Sequence, residues 1–298
     1  MNMNMNKISY REPFKPVKEL KLLPGYLLCV IWAIFTFTMI GWTIAASFLT
    51  PRDIFAGDVP GAFFERLTNW DLVFNNYALA WNAQSLSVFF LNSVFYCLVS
   101  LPLIIIIAAP ASYALSRFKF RSNTAIQIMT SISMGVPAVM IIMPLFSLAT
   151  TVGATGTRTT LIFLYIGMSI PFTIFYLLPF FKNLPSGLEE AAAVDGCPPI
   201  MTFWRVMFPL AQPGVITVTI FNFITLWNEF FISMIFANDA TIRPIAVGLF
   251  NMVQGMKYAG HWGAMFASAV IVFAPTFILF IFLSNKILAT VTGGAIKG

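Results

Sequence analysis

The sequence predicts an all-α, polytopic integral membrane protein. Of its 298 residues, 59% are hydrophobic and only 9% are charged, and the mean hydropathy is +0.85. Soluble domains carry charge on about a quarter of their residues, so this composition excludes an ordinary soluble fold. Six segments are also apolar over the roughly 20 residues that an α-helix needs to cross a bilayer. We therefore expect a bundle of six transmembrane helices.

The six predicted spans set the organisation of the chain. They cover about residues 24–48, 86–115, 125–149, 159–181, 210–236 and 264–288. An N-terminal tail, residues 1–23, precedes this transmembrane domain of residues 24–288, and a C-terminal tail, residues 289–298, follows it. The apolar run of the first span is too long for a signal peptide, and no small-residue cleavage site follows it. We expect this span to be retained as an anchor.

Lysine and arginine are distributed unequally between the two sides of this predicted bundle. Twelve of the 17 lie in the N-terminal tail, in loops 116–124 and 182–209, and near the C-terminus, whereas five lie in the other loops. The positive-inside rule then places both termini and the 182–209 loop in the cytoplasm. The net charge of +6 is thus explained by topology, which argues against a nucleic-acid partner.

The residue types that support catalysis or metal binding are scarce. Cys29, Cys97 and Cys197 are far apart, and the chain has a single histidine, His261. No disulfide framework or metal site is therefore predicted. The phosphate-binding pattern GxxxxGK[ST] of many ATPases is absent. We expect a subunit that is not an enzyme and has no cofactor of its own, so that any ATP must be bound by a partner.

The 182–209 loop carries the signals of two short helices that meet at a corner. Ser186 and Glu189 fit a capping box at the start of a first helix that continues to Val194. Gly196 fits the left-handed residue that ends such a helix, and two prolines follow it. On the second helix an apolar face is predicted, with Pro209 at its end. That face contains Ile200, Phe203, Trp204, Met207 and Phe208.

The residues of this loop resemble a known family motif. Glu190-Ala191-Ala192, then Gly196, then Val206-Met207-Phe208-Pro209 are similar to the EAA loop in the membrane subunits of binding-protein-dependent ABC importers. That family usually has an aliphatic residue where Phe208 stands. Two further stretches, Trp227-Asn228-Glu229-Phe230 and the C-terminal Gly293-Gly294-Ala295-Ile296-Lys297-Gly298, are similar to the maltose-permease-like branch. The resemblance covers about residues 22–298.

The resemblance implies a type I permease in the inner or plasma membrane of a prokaryote. Its implied partners are a second homologous permease in a heterodimer, two ATP-binding subunits, an extracytoplasmic solute-binding protein and membrane lipid. The implied substrate is an oligosaccharide or related polyol. Gly293, Gly294 and Lys297 would enter the interface between the ATPases. The loop residues expected to dock on the ATPase are Glu190, Ala191, Ala192, Asp195, Gly196, Phe203, Met207 and Pro209.

Three residues of the fifth span allow two interpretations. A lone carboxylate such as Glu229 costs about 2.5–3.5 kcal/mol at the centre of a transmembrane helix, so it needs a partner or a wet cavity. Trp227, Asn228 and Glu229 would either line the translocation path and bind sugar, or form a polar clamp between helices. Similarly, the segment 50–85, with Trp70 and Trp81, would either receive the solute-binding protein or cover the pore.

Other functions remain open from the sequence alone. An ABC importer for an amino acid, a peptide or a phosphonate would share the loop pattern, and an ion-coupled secondary transporter would use Glu229. The Trp227–Phe230 stretch and the C-terminal tail favour a sugar importer.

Overall fold

The computed structural model describes residues 16–68, 74–83 and 85–295. Within these ranges the regular structure is helical, without strands. In chain order the helices are α1 (Pro16–Ala46), α2 (Pro51–Phe55), α3 (Val59–Arg66), α4 (Asn75–Ala78), α5 (Leu86–Arg117), α6 (Asn123–Met134), α7 (Ala138–Thr151), α8 (Arg158–Lys182), α9 (Gly187–Val194), α10 (Pro199–Thr202), α11 (Phe208–Leu210), α12 (Gln212–Trp227), α13 (Phe231–Phe236), α14 (Ile245–Ala259) and α15 (Trp262–Ala295).

Two π-helical turns, Leu79–Ala83 and Phe203–Met207, and a 3-10 turn, Ala240–Ile242, complete the described elements. Four helices, α1, α5, α8 and α15, are long and apolar enough to cross a membrane alone. Two pairs of shorter helices meet the same criterion only as bent pairs, which gives up to six crossings within the described ranges.

Helices α5 and α8 run side by side in the same direction and form the centre of the fold. At one end Arg158 Nη2 donates to Asn92 Oδ1 at 3.0 Å. At the other end Arg117 Nη2 donates to the carbonyl of Leu184. Helix α12 packs against them, and Asn222 Nδ2 donates to Thr173 Oγ1 at 2.9 Å in the buried contact. Buried polar contacts of this kind hold helices together where lipid offers no hydrogen-bond partners. We call the two ends of the bundle the Arg158 end and the loop end.

The third predicted span, 125–149, is not one helix. Helices α6 and α7 are bent by 101° at the short break between Met134 and Ala138. Pro137 lies in this break with an extended backbone, at φ −61° and ψ 133°. A proline disfavours the helical conformation of the residue before it, so the helix ends here although the apolar run continues.

The fifth predicted span, 210–236, is interrupted as well. Helix α12 ends at Trp227, and α13 starts only at Phe231. At its other end α12 is bent by 77° from the loop helix that precedes it, Pro199–Leu210. The chain then returns through the 3-10 turn and α14, which packs against α5 and α15 at the Arg158 end. Helix α14 was not predicted.

The described part of the segment 50–85 covers the Arg158 end. Asn76 Nδ2 donates to the carbonyls of Ser47 and Leu49, both at 2.9 Å. Trp81 is half-buried, with its ring centroid 5.6 Å from that of Phe90 on α5. Trp81 therefore packs inward onto the bundle, whereas Trp70 lies outside the described residues.

Candidate functional site

The corner of the 182–209 loop is set by Gly196. Its φ is +76°, which glycine adopts without the steric cost that other residues meet. The N–H of Cys197 donates to the carbonyl of Ala192 at 2.9 Å, and the N–H of Gly196 donates to that of Ala193 at 3.0 Å. This pair of bonds is the Schellman motif that closes a helix C-terminus. The left-handed conformation predicted for Gly196 is confirmed.

The capping box predicted at the start of α9 is wrong. Ser186 has helical backbone angles and makes no side-chain capping bond. Glu189 turns instead toward α5, where its Oε2 lies 3.6 Å from Arg117 Nε. Arg117 also donates to the carbonyl of Leu184, so one guanidinium joins the end of α5 both to the turn after α8 and to the first turn of α9. We call Arg117 and Glu189 the brace.

The apolar face of the second loop helix is divided between the inside and the outside of the protein. Phe203 and Met207, both expected to dock on the ATPase, are 3% and 0% exposed. They belong to one buried cluster with Ala211, just before α12, and with residues of α5, α8 and α12, namely Ala109, Tyr113, Leu177, Phe181, Val215 and Val218. Their assignment to the docking surface is therefore corrected. These side chains anchor the loop in the bundle, because burial of each contributes about 1.5–3 kcal/mol.

The residues that the loop leaves exposed define a different docking surface. Ala192 is also buried, at 7% exposure. The exposed predicted residues are Glu190, Ala191, Asp195, Gly196 and Pro209. Three large apolar side chains accompany them at high exposure: Val194 at 88%, Ile200 at 76% and Trp204 at 41%.

An apolar groove adjoins this exposed surface. It has a volume of about 200 Å³ and lies between the end of α5 and the second loop helix. Ile200 and Trp204 lie along it, together with Pro110, Tyr113, Phe118, Pro199 and Phe203. A protein-binding surface is expected to have this composition: exposed apolar side chains beside an apolar groove, with acidic residues on the neighbouring helix.

The predicted path residues Trp227, Asn228 and Glu229 do not act together. Trp227 is 1% exposed, and its Nε1 donates to the carbonyl of Val272 at 2.9 Å. Its ring is thus part of the core and is not available to stack on a sugar. Asn228 is exposed and donates to the carbonyl of Ile224 at 2.8 Å.

Glu229 is a cap for α13. Its carboxylate accepts the backbone N–H groups of Ile232 at 2.7 Å and Ser233 at 3.0 Å, and it also accepts the Ser233 hydroxyl. The same hydroxyl contacts that of Tyr165 on α8. The carboxylate thus satisfies the unpaired donors at the helix break and links α13 to α8. This geometry favours the clamp interpretation.

Replacing Glu229 with glutamine should lower uptake modestly without changing the order of preferred solutes. A glutamine keeps one acceptor oxygen but loses the charge-assisted bonds, which are about twice as strong as neutral ones. We expect a loss of about threefold to tenfold in uptake, together with a lower melting temperature of the purified complex. Asn228→Asp at the neighbouring exposed position is the control for charge in this region. A changed preference among sugars would instead show that Glu229 contacts the solute.

The remaining predicted site is the C-terminal tail. The backbone of α15 continues through Gly293 and Gly294 to Ala295, whereas Lys297 lies outside the described residues. A role of this tail at the ATPase interface stays a prediction. Metal ligands were not expected, and the described residues contain no group of three His, Cys, Asp or Glu side chains that could hold an ion.

Comparison with protein families decides the class of this chain. The model of the family described as binding-protein-dependent transport system inner membrane component matches residues 100–288. This chain belongs to that family. Its members are the membrane subunits of ABC importers, and the family and fold class predicted from the sequence are confirmed.

Individual relatives extend over most of the chain. The diacetylchitobiose uptake system permease protein NgcG of Streptomyces coelicolor is 30% identical over 92% of this chain and 88% of its own length. The trehalose/maltose transport system permease protein MalG of Thermococcus litoralis is 28% identical over 95% of this chain and 98% of its own. The sulfoquinovosyl glycerol transport system permease protein SmoH of Agrobacterium fabrum is 32% identical over 75% of this chain and 78% of its own.

The fold is also shared with a solved transporter. A crystal structure of a bacterial ABC transporter involved in the import of the acidic polysaccharide alginate superposes with a TM-score of 0.78 at 20% identity. The match covers 91% of this chain and 98% of that one. The described arrangement of helices is therefore the fold of that transporter chain.

Proposed function

We propose that this chain is the permease subunit that carries a sugar, an oligosaccharide or a related polyol, through an ATP-driven importer. The relatives named for diacetylchitobiose, trehalose/maltose and sulfoquinovosyl glycerol support a sugar as the substrate class. The chain supplies no ATPase chemistry in this proposal, and two partner subunits bind and hydrolyse ATP. A second permease completes the path, and a solute-binding protein delivers the sugar.

The observation that carries the mechanism is the split face of the second loop helix. Ile200 and Trp204 are exposed, whereas Phe203 and Met207 are buried against α5, α8 and α12. In this proposal the exposed pair contacts the ATPase. A closely packed contact of this kind transmits displacement, because protein interiors have little free volume. Closure of the ATPases therefore moves the loop and the three helices as one body. ATP binding shifts the equilibrium between the two access states of the path only as far as ATP favours one state over the other.

The proposed orientation follows from charge. With the positive residues of the tails and of loops 116–124 and 182–209 inside, the loop end and both termini lie in the cytoplasm. The Arg158 end, covered by α2 and α3, then faces the solute-binding protein. This places the docking surface and the delivery of solute on opposite sides, as an importer requires.

A negative charge on the exposed face of the second loop helix should weaken binding of the ATPase to this subunit. We expect Trp204→Asp and Ile200→Asp each to weaken ATPase binding about thirtyfold or more, because loss of a central apolar contact costs about 2 kcal/mol. The amount of subunit in the membrane should stay near that of the wild type, since both side chains are exposed. Co-purification of the ATPase with the tagged permease is the measurement.

Phe64→Asp is the matched control, because Phe64 is 69% exposed on α3 at the opposite end. Retained ATPase in that variant and lost ATPase in the Trp204 variant would support the proposal. Normal ATPase binding by both loop variants would contradict it. Uptake driven by a proton or sodium gradient in vesicles containing this chain alone would instead establish a secondary transporter.

A further inference from the structure

A cavity of about 420 Å³ lies at the Arg158 end, on the side of the bundle opposite the 182–209 loop. Its walls come from the start of α5, from the 3-10 turn Ala240–Ile242 and from α14. This volume is within the range of about 300–1,000 Å³ that is typical of sites for small molecules. The ATPase contacts proposed above do not use it.

The cavity exists because α14 has glycines on the face that lines it. Gly248, Asn251, Met252 and Gly255 follow the i, i+3, i+4, i+7 spacing of a single helical face, and all four line the cavity. Gly248 is required by packing, since a Cβ there would lie 2.2 Å from Phe89 Cδ2. At Gly255 no atom lies within 4 Å of the Cβ position. Packing does not explain Gly255, although glycine weakens a helix.

The polar side chains on the cavity wall have donors and acceptors that make no hydrogen bond to described residues. The Thr241 hydroxyl and the Asn251 amide make no hydrogen bond within the part of the chain that the structure describes. The Arg243 guanidinium is fixed in place, because its Nε donates to the carbonyl of Ala237 at 3.1 Å and its Nη2 to that of Asn238 at 3.0 Å. Its remaining nitrogen can still donate.

Ser85, at the edge of the cavity, has an unusual backbone. Its φ is 57° and its ψ is 22°, the left-handed conformation, and its side chain does not cap the helix that follows. A serine at this position usually accepts a hydrogen bond from the first turn of the helix. A left-handed residue other than glycine is strained, and such strain is concentrated at functional sites. Ser85 lines the cavity.

We propose that this cavity binds a hydroxyl-rich solute of one or two sugar rings before it enters the translocation path. Hydroxyl, amide and guanidinium groups match the donors and acceptors of sugar hydroxyls, and Val88, which is 41% exposed, offers apolar surface to the C–H face of a ring. The inference rests on the proposed function, which makes the Arg158 end the side of delivery. The site is concave and combines one fixed guanidinium, Arg243, with the exposed polar side chains of Ser85, Thr241 and Asn251, which suits a small molecule better than a protein surface.

Filling the cavity tests the proposal. Gly255→Met introduces a side chain where the structure has open space, and Gly41→Met does the same on α1, where the Cβ position also has no atom within 4 Å. With the complete transporter in vesicles, we expect uptake of maltose, trehalose or diacetylchitobiose to fall about tenfold in the first variant and to stay unchanged in the second. Asn251→Ala should lower uptake about fivefold, as expected for one lost hydrogen bond. Gln254→Ala, on the same helix but outside the cavity, should not.

A second measurement separates a sugar site from a protein-docking site. The affinity of the sugar-free solute-binding protein for the transporter should be the same for wild type and for Gly255→Met. If that affinity falls in parallel with uptake, the cavity receives part of the binding protein and the proposal is wrong. Normal uptake by both Gly255→Met and Asn251→Ala would also overturn it. If the wild-type transporter hydrolyses ATP but takes up no member of a panel of monosaccharides, oligosaccharides and polyols that includes these three, the proposed function itself would be wrong. The other outcomes leave the proposed function unchanged.

Discussion

Replacing Gly196 with valine should abolish solute uptake while the amount of subunit in the membrane stays nearly constant. Gly196 has a φ of +76° and its Cβ position has no atom within 4 Å, so the obstacle is backbone strain rather than a clash. A β-branched residue held in the left-handed region costs about 1–3 kcal/mol. The exposed loop can relieve this strain by opening the corner between α9 and the second loop helix. Glu190 and Ile200 would then no longer present one surface to the ATPase.

A series at this position makes the result specific. Gly196→Asn should retain more uptake than Gly196→Val, because asparagine tolerates the left-handed conformation better than other residues. Gly196→Pro should be as inactive as the valine variant, since its φ is fixed near −65°. Gly187→Val is the matched control within the same loop, where the glycine has an ordinary φ and open space around its Cβ position. Wild-type uptake by Gly196→Val, with the ATPase bound normally, would show that the corner angle does not matter for coupling.

The sequence allowed prediction of those helices whose apolar runs are uninterrupted. Helices α5 (Leu86–Arg117) and α8 (Arg158–Lys182) fall within two residues of the predicted spans 86–115 and 159–181. Hydropathy is averaged over a segment of the chain and contains no information on the direction of the helix axis. It therefore missed the 101° bend between α6 and α7. Helix α14 was not predicted because its 15 residues are fewer than the roughly 20 that a membrane span needs.

The loop was predictable where its conformation is local and not where it depends on distant partners. Gly196 and the prolines after it specify the corner through their own backbone preferences, and the structure agrees. The apolar periodicity showed that Phe203, Trp204 and Met207 lie near one another, but a helical pattern does not state which neighbour covers which side chain. The capping box was predicted wrongly for the same reason, because Glu189 lies beside Arg117, which is remote in sequence and adjacent in space.

Reversing one charge of the brace should destabilise the subunit and impair coupling. Arg117→Glu would place a carboxylate beside Glu189, and it would also remove the donor to the Leu184 carbonyl. The side chains of Arg117 and Glu189 are only 14% and 24% exposed, so water screens the repulsion poorly. Loss of one partner of a mostly buried pair costs on the order of 3 kcal/mol. We expect a lower melting temperature of the purified complex and uptake reduced at least tenfold.

The double reversal decides whether the pair itself is responsible. Arg117→Glu combined with Glu189→Arg restores opposite charges, so the double variant should be more stable than either single variant by about 0.5–3 kcal/mol of coupling energy. Recovery should be partial, because a glutamate at 117 cannot donate to the Leu184 carbonyl. Lys119→Glu is the control, since Lys119 is exposed on the same turn and its reversal changes the net charge without breaking the brace. If the two single effects simply add in the double variant, the brace contributes nothing as a pair, and the loop is attached to the bundle by its buried apolar cluster instead.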